Sequence, residues 1–228
     1  MPEALEASVG VGVIHLFCTV GEGTDRAAIE AAVKAAEADD LQVVPVAVLG
    51  HKADVAFMVL GKDWWKLKAF QTALSVAGLT VIDSYVSMTE LSEYAKGLPE
   101  QMASARLYPQ LPPEGMSAWC FYPMSKKREG DANWFTLPFD ERKDLMMEHG
   151  ASGRKFAGRI VQLITGSAGV DDYEWGVTLF AQKPDDLKEV VYTMRFDEAS
   201  AVYAEFGRFV VGMVAEPGDA LASIGLAG

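Results

Sequence analysis

The chain has 228 residues, half of them hydrophobic, with 20 lysines and arginines against 32 aspartates and glutamates, a net charge of −12. That balance excludes general attraction to phosphate backbones or anionic lipid, so nucleic acid is not an expected partner. No stretch reaches the roughly 18 to 20 apolar residues of a membrane span, and Met1 to Gly10 carries Glu3 and Glu6 with no basic patch, so a soluble cytoplasmic protein is expected.

Val11 to Val20 opens the first half as an apolar run of strand character. In the next stretch Ile29, Val33 and Ala36 share one helical face, with Thr24 as the expected cap. Leu41 to Leu49 and Val55 to Leu60 are joined by Gly50-His51-Lys52-Ala53-Asp54, the pattern of two antiparallel strands, and Pro45 marks an edge or a bulge. Leu67, Phe70 and Leu74 follow helical spacing, and Leu79 to Met88 returns to strand character. Residues 1–98 thus read βαββαβ.

Residues 99–116, rich in proline, form the expected connecting loop to a second half, residues 117–228. There the strand Ala118 to Tyr122 comes first. Pro138 suits the opening turn of a helix through Leu145, Met146 and Met147, with Gly150 ending or bending it. Two strands follow, Arg159 to Thr165 and Tyr173 to Ala181. A helix carrying Leu187, Val190, Val191 and Met194 comes next, then a final strand from Ala201 to Met213. The element order repeats, although residue identity does not.

A βαββαβ unit is a ferredoxin-like motif whose antiparallel sheet has helices on one face and leaves the other needing a cover. The fold class expected is therefore α+β, with two tandem ferredoxin-like units forming a dimeric α+β barrel or enclosing a large flat ligand. Cys18 and Cys120 lie in apolar strand-like runs without CxxC spacing and are expected to be buried free thiols.

Any imidazole chemistry has only three candidates, His15, His51 and His149. His15 alternates with apolar residues on the first strand and His51 sits in a turn, which suits structural or surface roles. His149 follows Leu145-Met146-Met147-Glu148, where a helix C-terminus would by itself favour a basic side chain. No ligand cluster of the kind zinc needs is present, nor a GxSxG elbow, P-loop or dinucleotide fingerprint. A ligand held by one imidazole remains open, and haem iron is the main example.

The ordered segments CFYPMSKKREGDANWF, LPFDERKDLMMEHGASGRKFAGRIVQLITGSAGVDDYEWGVTLF and VVYTMRFDEASAVYAEFGRFVVG resemble the coproheme-decarboxylating branch of the chlorite dismutase-like family. GHKADVAFMVL and the VIHLF strand extend the resemblance more weakly into the first half. The resemblance implies that His149 is the proximal iron ligand and Tyr122 a redox-active tyrosine. It also implies that Lys126 and Arg195 meet propionates of the porphyrin, and that Arg106 does so with less support, its spacing to Tyr122 being longer than the family pattern. Met124, Ser125 and Trp134 match the pattern, where packing or propionate contacts explain them. Gln162 stands where the chlorite-degrading branch has an arginine.

The activity so implied is peroxide-dependent oxidation of Fe-coproporphyrin III (coproheme), which is both substrate and redox centre. Tyr122 becomes a radical that removes hydrogen from a propionate, carbon dioxide leaves, and two rounds give haem b. A chlorite dismutase or peroxidase-like enzyme, and a non-catalytic haem-binding protein, are the alternatives. The resemblance further implies a homopentamer and a ferrochelatase-type substrate donor.

Overall fold

The computed structural model describes residues 2–95 and 97–226. β1 (Gly12–Thr19) is covered on both faces: Ile14, Leu16 and Cys18 face a cluster built with helices, while Val13 and Phe17 face a second cluster on the other side of the strand. Double coverage is the reason this segment reads as a continuous apolar run. α1 (Arg26–Ala38) lays Ile29, Val33 and Ala36 on the helix-side cluster. Its cap is Asp25, whose carboxylate accepts from the Ala28 N–H at 3.0 Å. Thr24, the expected cap, instead donates to the carbonyls of Gly21 and Gly78. One position later the backbone turns into the helix, and aspartate caps as well as threonine does.

β2 (Gln42–Val48) and β3 (Val55–Gly61) pair antiparallel, followed by α2 (Trp64–Val76), which buries Leu67, Phe70 and Leu74, and β4 (Thr80–Thr89). The segment expected as a connecting loop contains α3 (Glu100–Leu107). The second half runs through β5 (Ala118–Lys126), the small hairpin of β6 (Arg128–Glu129) and β7 (Ala132–Asn133), and α4 (Phe139–Arg154). It continues with β8 (Ile160–Gly166), β9 (Trp175–Ala181), α5 (Pro184–Met194), α6 (Glu198–Ala201), β10 (Ala204–Phe206), β11 (Val210–Val214) and α7 (Pro217–Ser223).

All the strands introduced above except β6 and β7, which pair only with each other, form one sheet in the order β10-β5-β11-β2-β3-β1-β4-β8-β9, and β9 also pairs with β5. The sheet therefore closes into a barrel containing every strand of this order but β10. Two seams join the halves, β11 with β2 and β4 with β8. Val13, Phe17, Val44, Met58, Trp119, Phe121 and Phe180 fill the barrel from both halves. This is the α+β barrel of two ferredoxin-like units.

Pro45, expected to mark an edge or a bulge, instead lies on an interior strand, between β11 and β3, in regular register with Phe57. Its carbonyl accepts from Ala215, just past the last paired residue of β11, so its missing N–H faces a side where the ladder has stopped. Two further expectations fail. The final strand does not run unbroken from Ala201 to Met213: Ala201 closes α6, and β10 and β11 are separated by Gly207 to Phe209. β10 pairs with Met124 to Lys126 and β11 with Ala118 to Phe121, so the break lies opposite Tyr122 and Pro123, and proline has no N–H for a ladder. Nor does Gly150 end the His149 helix, since α4 continues through it to Arg154. His149 is therefore not a helix-end residue.

Cys18 and Cys120 are buried free thiols, each pushed up to about 12 by burial. No helix among the described residues is long and apolar enough to cross a membrane.

Candidate active site

Strand alternation places Cys120, Tyr122, Met124 and Lys126 on one face of β5, the face outside the barrel. Cys120 pairs with Leu179 and Leu179 with Gln162; Tyr122 pairs with Val177 and Val177 with Ile164. Directly paired residues share a face, so Tyr122, Gln162 and Ile164 lie on one outer surface. In the first half the corresponding surface is sealed by α1 and α2. In the second half α5 covers the β5 and β9 side through Leu187, Val190 and Met194, but α4 buries only Ser152. Gln162 is consequently exposed, and Ile164 is 45% exposed. A strand surface with apolar residues that no helix seals is an opening for a flat ligand.

His149 lies on α4 and is largely buried. Its Nδ1 is 3.2 Å from Asp197 Oδ2 and 3.5 Å from Ser200 Oγ. Asp197 is buried, and its other carboxylate oxygen accepts from the Ser152 hydroxyl at 2.7 Å, which ties it to α4. Oδ2 is close to the imidazole nitrogen but off the line of a hydrogen bond. Burial foremost, then the Lys126 charge, holds the imidazole below its usual pKa, while Asp197 acts in the opposite direction. At neutral pH the ring is therefore uncharged, the form that ligates a metal. With Nδ1 facing Asp197 and Ser200, Nε2 is the nitrogen left for a ligand bond, so the side chains present fit a single-imidazole iron site.

Tyr122 is buried in a small aromatic box. Phe209 stacks on it at 4.3 Å between ring centroids and Phe206 meets it edge-on at 5.6 Å. The ladder break at Pro123 brings both rings there. Burial pushes the phenol above its ordinary value, so it carries its proton at neutral pH.

The Lys126 ammonium donates to the carbonyl of Ala199 and lies 4.5 Å from the Trp134 ring. Burial lowers it to about 8, partly offset by Glu174. Arg195, the C-cap of α5, is exposed and stacks over Tyr192 and Phe196 at 4.0 and 4.9 Å. Met124 packs half-buried beside Tyr122's cluster. Ser125 points to the opposite face, where its hydroxyl accepts from the Glu174 N–H. Arg106 is exposed in the last turn of α3, whose end is tied to the first half by Thr89 donating to the Leu107 carbonyl. The structure thus gathers Tyr122, Met124, Lys126, His149 and Gln162 around one face, with Arg195 at the end of the helix that covers part of it.

His15 is elsewhere. It is buried in the barrel, stacked on Phe121 at 4.1 Å, with Nε2 3.0 Å from Thr178 Oγ1. Asp197 and Ser200, which face His149, and Phe206 and Phe209, which pack on Tyr122, are neighbours that the sequence alone did not single out. The RFDE segment contains Asp197, but only the packing of α6 against α4 shows what its carboxylate meets.

The chain is thus an α+β barrel that carries a largely buried neutral imidazole, an exposed outer sheet face and a buried tyrosine. A family profile described as Chlorite dismutase matches residues 24–215. A coproheme decarboxylase of Staphylococcus carnosus is 47% identical over 179 residues, covering 73% of this chain and 70% of that protein. The solved structure of a heme-binding protein from Thermus thermophilus superposes with a TM-score of 0.84 at 36% identity, covering 98% of this chain and 97% of the other. A chlorite dismutase mutant from Candidatus Nitrospira defluvii shares the fold, with a TM-score of 0.76 at 18% identity over 96% of this chain and 97% of that one. The chain belongs to the chlorite dismutase family.

Proposed function

We propose that this protein is a coproheme decarboxylase, converting Fe-coproporphyrin III to haem b with hydrogen peroxide as oxidant. The observation that carries the reading is the pairing of His149 with Tyr122 around a sheet face that α4 leaves open. The 47% identity to the Staphylococcus carnosus coproheme decarboxylase supports the substrate. The substrate brings its own iron and supplies the oxidising chemistry when bound. For each propionate converted, the side chain gives up two electrons and its carboxyl carbon as carbon dioxide. Peroxide, those electrons and two protons, one from the substrate and one from solvent, become water, and a vinyl group remains.

His149 holds the iron through Nε2, with Asp197 and Ser200 orienting the ring from Nδ1. Tyr122 gives up its hydrogen atom and then takes one from the propionate carbon. Its box of Phe206 and Phe209 excludes water from the phenol and limits its motion. Coproheme carries four carboxylates that need cationic partners on leaving water. Arg195 and Lys126 fill that role, with Arg106 a weaker third and Met124 beside them; Ser125, turned to the opposite face of β5, has no part in it. Gln162 faces the ligand where the resemblance puts arginine in the chlorite-degrading branch, which favours decarboxylation over chlorite chemistry. The ligand sits in the C-terminal half, residues 117–228, in a cytoplasmic homopentamer that receives coproheme from a ferrochelatase-type donor. Adding peroxide to the coproheme complex and following bound porphyrin by mass spectrometry tests the reading: two successive decarboxylations support it, and an unaltered porphyrin contradicts it.

A further inference from the structure

We propose that Lys126 is a positioning residue for the His149 imidazole, acting through α6, and so links carboxylate binding at the sheet face to the geometry of the iron ligand. The inference rests on His149 being that ligand.

Lysine is seldom buried without a partner, because desolvating an ammonium is costly. Lys126 is only 7% exposed, and its partners are a backbone carbonyl and an aromatic face, those of Ala199 and Trp134. Ala199 is fully buried in α6, a helix of 4 residues. So short a helix does not hold its own shape, since helix nucleation is unfavourable without outside contacts. Asp197 and Ser200, which flank Ala199, are the two groups facing His149 Nδ1 at 3.2 and 3.5 Å. The lysine therefore grips α6 at the carbonyl that lies between the two partners of the histidine.

Both ends of this arrangement are anchored. Asp197 is tied to α4 by Ser152 at 2.7 Å. On the other side, the Lys126 backbone N–H donates to Glu174 Oε2 at 3.1 Å, and the other oxygen of Glu174 pairs with Arg128. The root of the lysine is thereby fixed and its reach defined. An ammonium has three N–H donors and Ala199 takes one, which leaves donors for a carboxylate of the substrate. Binding of that carboxylate on one side and the α6 carbonyl on the other makes Lys126 the link between them.

The test uses the full chain and the variant Lys126→Met, which keeps an unbranched stem against Trp134 but cannot donate, with Lys126→Gln as a second variant if the first does not fold. In the ligand-free protein, hydrogen exchange at the amides of 197–203 should rise about tenfold or more, in line with loss of one charge-assisted hydrogen bond, while β1 to β3 stay protected. In the ferrous complex with an iron porphyrin dimethyl ester, which has no free carboxylates, the iron–histidine stretching band should still shift in the variant. Unchanged exchange in α6, or a shift seen only with the free-acid porphyrin, would overturn the proposal, leaving Lys126 a carboxylate clamp alone. Absence of the iron–histidine band in the unsubstituted protein would instead remove His149 as ligand, and the exchange measurement would then decide whether Lys126 holds α6.

Discussion

His149 Nδ1 lies 3.2 Å from Asp197 Oδ2, and this contact joins α4 to the residue that opens α6. A carboxylate at that nitrogen makes the imidazole a stronger electron donor through Nε2. Asp197→Asn removes the charge and keeps the shape. The iron–histidine stretching frequency of the ferrous complex should fall, and the pKa of His149 in the ligand-free protein, read by NMR titration, should drop further below its ordinary value, because Asp197 is what raises it. An unchanged frequency would mean that the carboxylate does not reach the ligand.

Tyr122→Phe retains the ring that stacks on Phe209 and removes only the hydroxyl. Its stability should lie within about 1 kcal/mol of the parent, since the packing is unchanged. It should bind coproheme and release no carbon dioxide with peroxide. Turnover near the parental rate would remove Tyr122 from the chemistry.

Arg195→Ala and Arg106→Ala separate a rim cation on α5 from one on the connecting segment. Isothermal titration with coproheme should show a loss of about tenfold or more for Arg195, whose guanidinium is held in place by Tyr192 and Phe196. For Arg106 the loss should be under about threefold, as befits an exposed charge. A larger effect at Arg106 would relocate the propionate contacts.

His15 makes stability depend on acid. Burial pushes it down to about 3 from its ordinary value of 6.5, so in the folded protein it stays neutral while in the unfolded chain it takes up a proton. The folded state therefore has its full advantage above the unfolded pKa and loses it as pH falls from 6.5 toward about 3. Urea denaturation across that window should show a steeper loss for the parent than for His15→Gln, which keeps a polar group near Thr178 without an imidazole. Equal slopes would contradict the assignment.

Gly212 tests the seam between the halves. It pairs with Val48 of β2 and Trp119 of β5, and a Cβ there would lie 2.4 Å from the Ala47 carbonyl oxygen. Because backbone rather than a flexible side chain is in the way, Gly212→Ala should destabilise by about 2 kcal/mol or more, measured by thermal or chemical unfolding.

The elements legible in the sequence are those whose local pattern and tertiary role agree. Ile29, Val33 and Ala36 mark α1 because one face alone is buried, and the run containing Leu16 marks β1 because both faces are. The ordered motifs singled out Tyr122, His149 and Gln162 as candidates, and strand register brings Tyr122 and Gln162 to one face. The extent of α4 was not legible, because Gly150 reads locally as a stop while the helix carries on to Arg154. The break between β10 and β11 is set by Pro123 on a different strand. Asp197 was hidden for the same reason: its partners, Ser152 and His149, come from α4, and nothing in the sequence near residue 197 points to them.

Adding peroxide stepwise to the coproheme complex and weighing the bound porphyrin after each addition separates decarboxylation from simple haem binding and from chlorite chemistry. Two successive losses of carbon dioxide, ending at haem b, are expected in the parent protein and neither in Tyr122→Phe. A porphyrin that keeps all four carboxylates, or a protein that instead evolves oxygen from chlorite, would contradict the decarboxylase reading.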